Sequence, residues 1–296
     1  MVCLIQESGR YGNVTKFKNS KWENIINRKT MVIFLFVIAV IYLAGIFIWG
    51  ITMESDAYAV HYENKFIAPC LEHPFGTDFM GRDMFSRCVK GLSNSLIIGI
   101  LASIVSSIVA LVLGIASAVF GGWVDRFVNW CIDLCMGLPH LVLLILISFM
   151  MGRGIQGVTI GVALTHWPSL TRIVRAEVMQ VRSSQYVQAA YKMGKSRWEV
   201  AVKHIVPHVL PAYLIGLVLL FPHAIMHEAS ITFLGFGLPA EMPAIGVILS
   251  EAMKHITTGK WWMAVFPGLM LLIAVVLFDV IGENLKKLWN PTSGNE

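Results

Sequence analysis

Six long apolar stretches, separated by polar segments of very unequal length, divide the chain. They are Met31–Ile51, Leu96–Phe120, Phe127–Met151, Ile155–Leu170, Val209–Phe236 and Trp261–Ile281. Most approach or exceed the roughly 20 residues that a helix needs to cross about 30 Å of hydrocarbon. The pattern therefore predicts an all-α integral membrane protein with six transmembrane helices. Ile155–Leu170 is the shortest stretch and is broken by His166 and Pro168. Its polar start must face protein or water, because lipid leaves freed backbone groups unsatisfied. Met31–Ile51 is too long, and its 30-residue basic lead too extended, for a cleaved secretory signal, so it reads as an anchoring helix that stays.

The positions of Lys and Arg orient these helices. With the N-terminus inside, the inner segments carry sixteen Lys and Arg residues and the outer segments seven. Both termini are then cytoplasmic. The organisation expected is a cytoplasmic segment over 1–30, a membrane domain over 31–284 and a cytoplasmic tail over 285–296. Two loops are long: an external one over 52–95, and a cytoplasmic one over about 171–208. Loops of that length without a fold of their own are usually functional.

Composition supports embedding in lipid. The 296 residues are 56% hydrophobic and 14% charged, against about 45–50% and about 25% in soluble domains. The net charge of +5 does not point to nucleic acid, since the cations sit in loops between apolar runs and form no basic stripe with interleaved aromatics. Cys131 and Cys135 lie four apart on an apolar helix and read as small buried residues. Cys70 and Cys88 fall in the expected external loop, where a disulfide is permitted but not required.

The long cytoplasmic loop contains Tyr186-Val187-Gln188-Ala189-Ala190-Tyr191-Lys192-Met193-Gly194, and later Lys203-His204-Ile205-Val206-Pro207. It predicts a short amphipathic helix whose adjacent alanines let another backbone approach closely. Gly194 then supplies a turn, a second basic helix follows, and Pro207 opens the next span. Periodicity leaves two readings open, a helix lying on the membrane surface and a docking element. The segment resembles the EAA loop of binding-protein-dependent ABC importer permeases, in which two alanines, a glycine and a later proline recur at this spacing. The resemblance implies a coupling loop over about 177–208 that docks on an ATPase subunit through Tyr186, Gln188, Ala189, Ala190, Gly194 and Arg197. Gln188 stands where that family usually carries an acid.

A second stretch, His73-Pro74-Phe75-Gly76-Thr77-Asp78-Phe79-Met80-Gly81-Arg82-Asp83, continuing to Arg87, is similar to the signature of the peptide and nickel branch of those permeases. Its notable positions are Gly76, Thr77, Asp78, Gly81, Arg82 and Asp83. Gly76 permits a tight turn, and Thr77 or Asp78 is placed to cap the following helix. Phe233-Leu234-Gly235-Phe236-Gly237 matches a third family pattern. Together these imply a type I ABC importer permease fold in a bacterial or archaeal inner membrane. They imply a homologous sibling permease, two ATP-binding cassette subunits and an extracytoplasmic solute-binding protein as partners. No cofactor is expected on this chain, and ATP and Mg²⁺ would be used by the ATPase subunits. Gly194-Lys195-Ser196 imitates the end of a phosphate-binding loop, but Ala189 stands at the first glycine position and no strand precedes it.

Ionisable residues inside a membrane are costly and mark function by default. His166 lies on the fourth stretch, His223, His227 and Glu228 on the fifth, Asp133 and His140 on the third, and Asp279 on the sixth. His223 and His227 are four apart, so both rings share one helix face, with Met226 beside them. Imidazole suits nickel, copper, zinc or iron, and a thioether can assist. Interhelical hydrogen bonding by the same histidines is the alternative. His227-Glu228 begins a zinc-protease pattern, but Ile231 stands where its second histidine belongs, so that enzyme reading fails. His166-Trp167 and the His223–His227 pair resemble nickel permeases, whereas Glu228-Ala229-Ser230 is similar to peptide members. The resemblance puts nickel, as ion or chelate, ahead of di- and oligopeptides as cargo, with His166, His223, Met226, His227 and Glu228 along the path. The rival of a different class is a proton-coupled secondary transporter, for which inverted repeats are expected and none is seen.

Overall fold

The computed structural model describes residues 33–289. The expected cytoplasmic lead over 1–30 and the tail from 290 onward lie outside the described residues. Ten α-helices are named here in chain order. They are α1 (Ile33–Thr52), α2 (Met84–Phe120), α3 (Gly122–Gly137), α4 (His140–Met150), α5 (Ile155–Arg182), α6 (Gln185–Lys192), α7 (Arg197–Val200), α8 (Val206–Phe233), α9 (Ile245–Met253) and α10 (Trp262–Trp289). A π-turn over Ala201–Ile205 joins α7 to α8, and no β-strand forms among the described residues.

Length and composition qualify four helical runs to cross a membrane: α1, α2, the continuous run Arg197–Phe233, and α10. The bent pair α3–α4 makes a fifth candidate. The expected single span Phe127–Met151 is therefore corrected, because its two halves meet at 98°. Pro139 is the cause. A proline pushes the residue before it out of the helical region, and Leu138 is extended at φ −93°, ψ 146°. The expected Ile155–Leu170 span is only the first half of α5, which continues to Arg182. Its second half carries Arg172, Arg175, Glu177 and Arg182, so α5 is long enough to cross while being too polar by composition alone.

α2 is the centre of the bundle, packing most extensively on α5 and also on α8. Its buried positions include Gly91, Ser95, Gly99, Ala102, Ser106, Ala110, Gly114 and Ser117, a small-residue stripe at intervals of three and four. In lipid there is no hydrophobic force between helices, so close backbone approach through small residues supplies the packing. A Cβ at Gly99 would meet Ile225 at 2.5 Å, and one at Gly114 would meet Val174 at 2.7 Å. The outward faces of α1, α2, α4 and α10 expose large apolar side chains such as Phe34, Ile108, Val142 and Leu272, as a lipid-facing surface requires.

The outer loop is shorter than expected, since α2 begins at Met84 and takes in the first part of the 52–95 segment. Cys88 consequently lies buried in α2 while Cys70 is exposed, and both are free thiols. The permitted disulfide does not form.

Candidate functional site

Three places combine the residues singled out in the sequence: an outer cap, an open cavity where helices meet, and a cytoplasmic elbow. In the cap, Gly81 at φ +77° approaches so closely that a Cβ would stand 1.8 Å from the His61 carbonyl oxygen. The Thr77 hydroxyl donates to the Asn64 carbonyl and accepts from the Ile67 N–H at 2.8 Å. Asp78 is fully buried. It accepts from Arg82 Nε and Arg87 Nη1, each at 2.6 Å, and from the backbone N–H groups of Met80 and Arg82. The helix cap expected at Thr77 or Asp78 is in fact Asp83, whose carboxylate accepts from the Ser86 N–H at 2.8 Å. Burial explains the exchange, because Asp78 is already committed to two guanidinium groups. Glu251 on α9 completes the network, accepting from Arg87 at 2.8 Å and Arg82 at 3.2 Å. No motif marks Glu251 in the sequence, since its partners lie more than 160 positions away.

Where α3, α4, α5 and α8 meet, an open cavity of about 410 Å³ has His140, His166, His223 and His227 on its wall. His166 on α5 and His227 on α8 come together with His140 at the first position of α4, with ring centroids 4.4–5.0 Å apart. Each of the three offers a nitrogen within 4.8 Å of the others. His140 was visible in the sequence only as one ionisable residue among several, and the bend at Pro139 carries it into the group. The other residues expected along the path lie in different places. His223 is exposed and lines the cavity without joining the triad. Met226 is 46% exposed and does not line the cavity. Glu228 is fully buried elsewhere, accepting from the Thr232 hydroxyl at 3.0 Å. On a helix the neighbours Met226 and Glu228 project in different directions from His227, whereas His223, one turn away, shares its face, so one cavity does not take them all.

The cytoplasmic elbow is helical almost throughout. Ser184 precedes α6, Gly194 turns the chain at φ +82°, and Ser196 caps α7 by accepting from the Glu199 N–H at 3.1 Å. Lys203 donates to the Glu199 carboxylate at 3.1 Å and holds its pKa below the ordinary value. Val187 and Ala190 are buried against the bundle, so Ala190 belongs to the chain's own core and leaves the expected docking surface. Tyr186, Gln188, Ala189, Gly194 and Arg197 remain exposed, with Gln188 Nε2 donating back to the Arg182 carbonyl at 2.9 Å. Beside them stand two bare apolar side chains outside the expected docking set, Met193 at 72% and Trp198 at 65% exposure. The elbow is braced from beneath by a fork of Arg175 on Asp125, at 2.7 and 2.8 Å. That guanidinium lowers the Asp125 carboxyl to about 2. The Gly194-Lys195-Ser196 segment is a helix-to-helix turn rather than a strand-to-helix one, which removes the phosphate-loop imitation.

Comparison with known proteins gives one family match and many related sequences. The family described as "Binding-protein-dependent transport system inner membrane component" matches residues 110–290. A putative peptide transport system permease protein of Brucella suis biovar 1 (strain 1330) is 32% identical over 270 residues, covering 90% of this chain and 89% of the relative. The oligopeptide transport system permease protein OppC of Bacillus subtilis (strain 168) is 29% identical, covering 96% and 94%. The dipeptide permease protein DppC of the same organism is 27% identical, covering 97% and 91%. Among solved structures, an inward-facing conformation of the MetNI methionine ABC transporter superposes with a TM-score of 0.58 at 16% identity, covering 69% of this chain and 97% of that one.

Proposed function

The chain belongs to the family of binding-protein-dependent transport system inner membrane components, and from that premise we propose that it forms half of the pore of an ATP-driven importer of short peptides. Membership makes it a multi-pass permease component, a transport subunit rather than an enzyme, and sets the proton-coupled alternative aside. The peptide assignment rests on relatives named for dipeptide and oligopeptide transport that align with 96–97% of the chain. The resemblance had put nickel first; the relatives favour the peptide alternative.

The observation that carries the coupling role is the elbow. Met193 and Trp198 stand bare, as Ala189 and Tyr186 are exposed, on a segment that buries Val187, Ala190, Val200 and Ala201 in the chain's own core. An apolar patch ringed by polar side chains marks an interaction surface, here for an ATPase subunit. Two such subunits, one under this chain and one under a sibling permease, close on ATP and draw the two elbows together. The continuous run from Arg197 through the π-turn into α8 passes that motion to the pore as a rigid-body switch. An external binding protein delivers the peptide to the outer cap.

The test is uptake by vesicles holding the assembled complex and its binding protein, with labelled di-, tri- and pentapeptides set against labelled nickel. ATP-dependent peptide accumulation is expected. Nickel accumulation without any peptide uptake or peptide-stimulated ATP hydrolysis would overturn the peptide assignment.

A further inference from the structure

The geometry points to a divalent transition-metal site formed by the imidazoles of His140, His166 and His227 where α4, α5 and α8 meet. Three elements bring one histidine each. His140 opens α4 directly after the break at Pro139. His166 lies eleven residues into α5, about 16 Å from its outer end at 1.5 Å per residue. His227 lies in the outer half of α8. Their donor nitrogens already fall within 4.8 Å of one another. A tetrahedral ion with bonds of about 2.0–2.1 Å needs nitrogens about 3.4 Å apart, a closure of little more than an ångström that side-chain rotation supplies.

The protonation pattern is that of a ligand waiting for an ion. His166 is 7% exposed, and its Nδ1 sits 2.9 Å from the Val162 carbonyl. The Thr165 hydroxyl also lies 3.1 Å from that Nδ1; because a carbonyl only accepts, the Val162 contact calls for the tautomer with its proton on Nδ1, which leaves the Nε2 lone pair free. A carbonyl-anchored Nδ1–H is the usual outer support of a metal-bound histidine, fixing tautomer and ring direction. The Nε2 atoms of both His166 and His140 are buried and find no hydrogen-bond partner among the described residues. Burying such nitrogens unpaired is unfavourable, and a cation shared by their lone pairs removes that cost. Neutral imidazoles select the nickel, copper and zinc group over magnesium or calcium, which take oxygen. His223 lines the same cavity outside the triad.

This site does not depend on the cargo reading, because peptide uptake without nickel uptake leaves it intact. The experiment is equilibrium dialysis of the whole complex in lipid nanodiscs against Ni²⁺ or Zn²⁺ alone, after removal of affinity-tag histidines. One ion per copy of this chain is expected. His140→Ala, His166→Ala and His227→Ala should each weaken binding at least tenfold, whereas His61→Gln in the outer loop should not change it. Because a core substitution can disturb assembly, Co²⁺ added to the wild-type complex provides an independent reading. A visible absorption spectrum of four- or five-coordinate cobalt with nitrogen ligands, displaced by Zn²⁺, supports the site. No bound ion above background in dialysis, or an octahedral water-like cobalt spectrum, overturns it.

Discussion

The outer cap and the cytoplasmic elbow are both short, polar connections between long apolar helices, and both carry a family signature. They differ in what their side chains do. In the cap, the buried charges face one another, since Asp78, Arg82, Arg87 and Glu251 close a network with no bare member. In the elbow, two large apolar side chains, Met193 and Trp198, are left mostly exposed. A segment that satisfies itself is built to hold a shape, and one that leaves apolar surface bare is built to be covered. The pair teaches that a sequence signature marks constraint without saying whether the constraint is internal or lies in a partner.

Breaking the cap should have the largest effect. Asp78→Ala leaves Arg82 and Arg87 facing only Glu251, and removing one partner of a buried charge pair costs about 3–5 kcal/mol. Loss of assembled complex, or a sharply lowered unfolding temperature in detergent, is the measurement. A smaller effect on stability than Arg175→Ala would collapse the contrast between the two regions.

Gly81 and Gly194 sharpen it further, because they share nearly the same backbone angle, φ +77° and +82°. At Gly81 an added Cβ strikes backbone, whereas at Gly194 it meets nothing within 4 Å. Gly81→Ala should therefore cost well over the roughly 1–3 kcal/mol of backbone strain alone. Gly194→Ala should cost that strain alone, about 1–2 kcal/mol, and leave a folded complex, both read by thermal unfolding.

Substituting the bare elbow residues should separate stability from function. Trp198→Ala should change the unfolding temperature little, because surface changes away from buried features stay within about 0.5 kcal/mol. ATP-dependent uptake should nevertheless fall at least tenfold. Unchanged uptake would remove Trp198 from the docking surface.

The smallest effect concerns the brace beneath the elbow. The Asp125 carboxyl is held at about 2, below its ordinary 3.8. A depressed carboxyl stabilises fully above the unfolded value, and the contribution fades as pH falls from about 4 through 2. The pair is about a quarter exposed, so after solvent screening it is worth at most ~1 kcal/mol. Arg175→Met should flatten that part of the stability–pH curve and leave it unchanged near neutrality.

Much of the helical plan was legible in the residues, because hydrocarbon thickness sets a minimum apolar length that few sequences meet by accident. The elbow was legible too, with Gly194 turning and Ser196 capping as their chemistry suggests. The break within Phe127–Met151 was missed although its signal, Gly137-Leu138-Pro139, was present, because an uninterrupted apolar count hides a local dihedral rule. The cap was expected at Thr77 or Asp78 and is Asp83, since helix-capping residue types also serve as buried ion-pair partners.

The sequence by itself determined that this chain lives in lipid, where its long helices run and which family it joins, because these depend on local composition and on motifs contiguous in the chain. Tertiary structure alone decided which ionisable residues meet. It joined Glu251 to Asp78 through two arginines, brought His140 to His166 and His227, and turned Met226 and Glu228 away from them. Those outcomes hang on the 98° bend at Pro139 and on the small-residue face of α2, which fix how far apart and at what rotation the helices pack. Residue types fix what a side chain can do, and helix rotation fixes what it has to do it with.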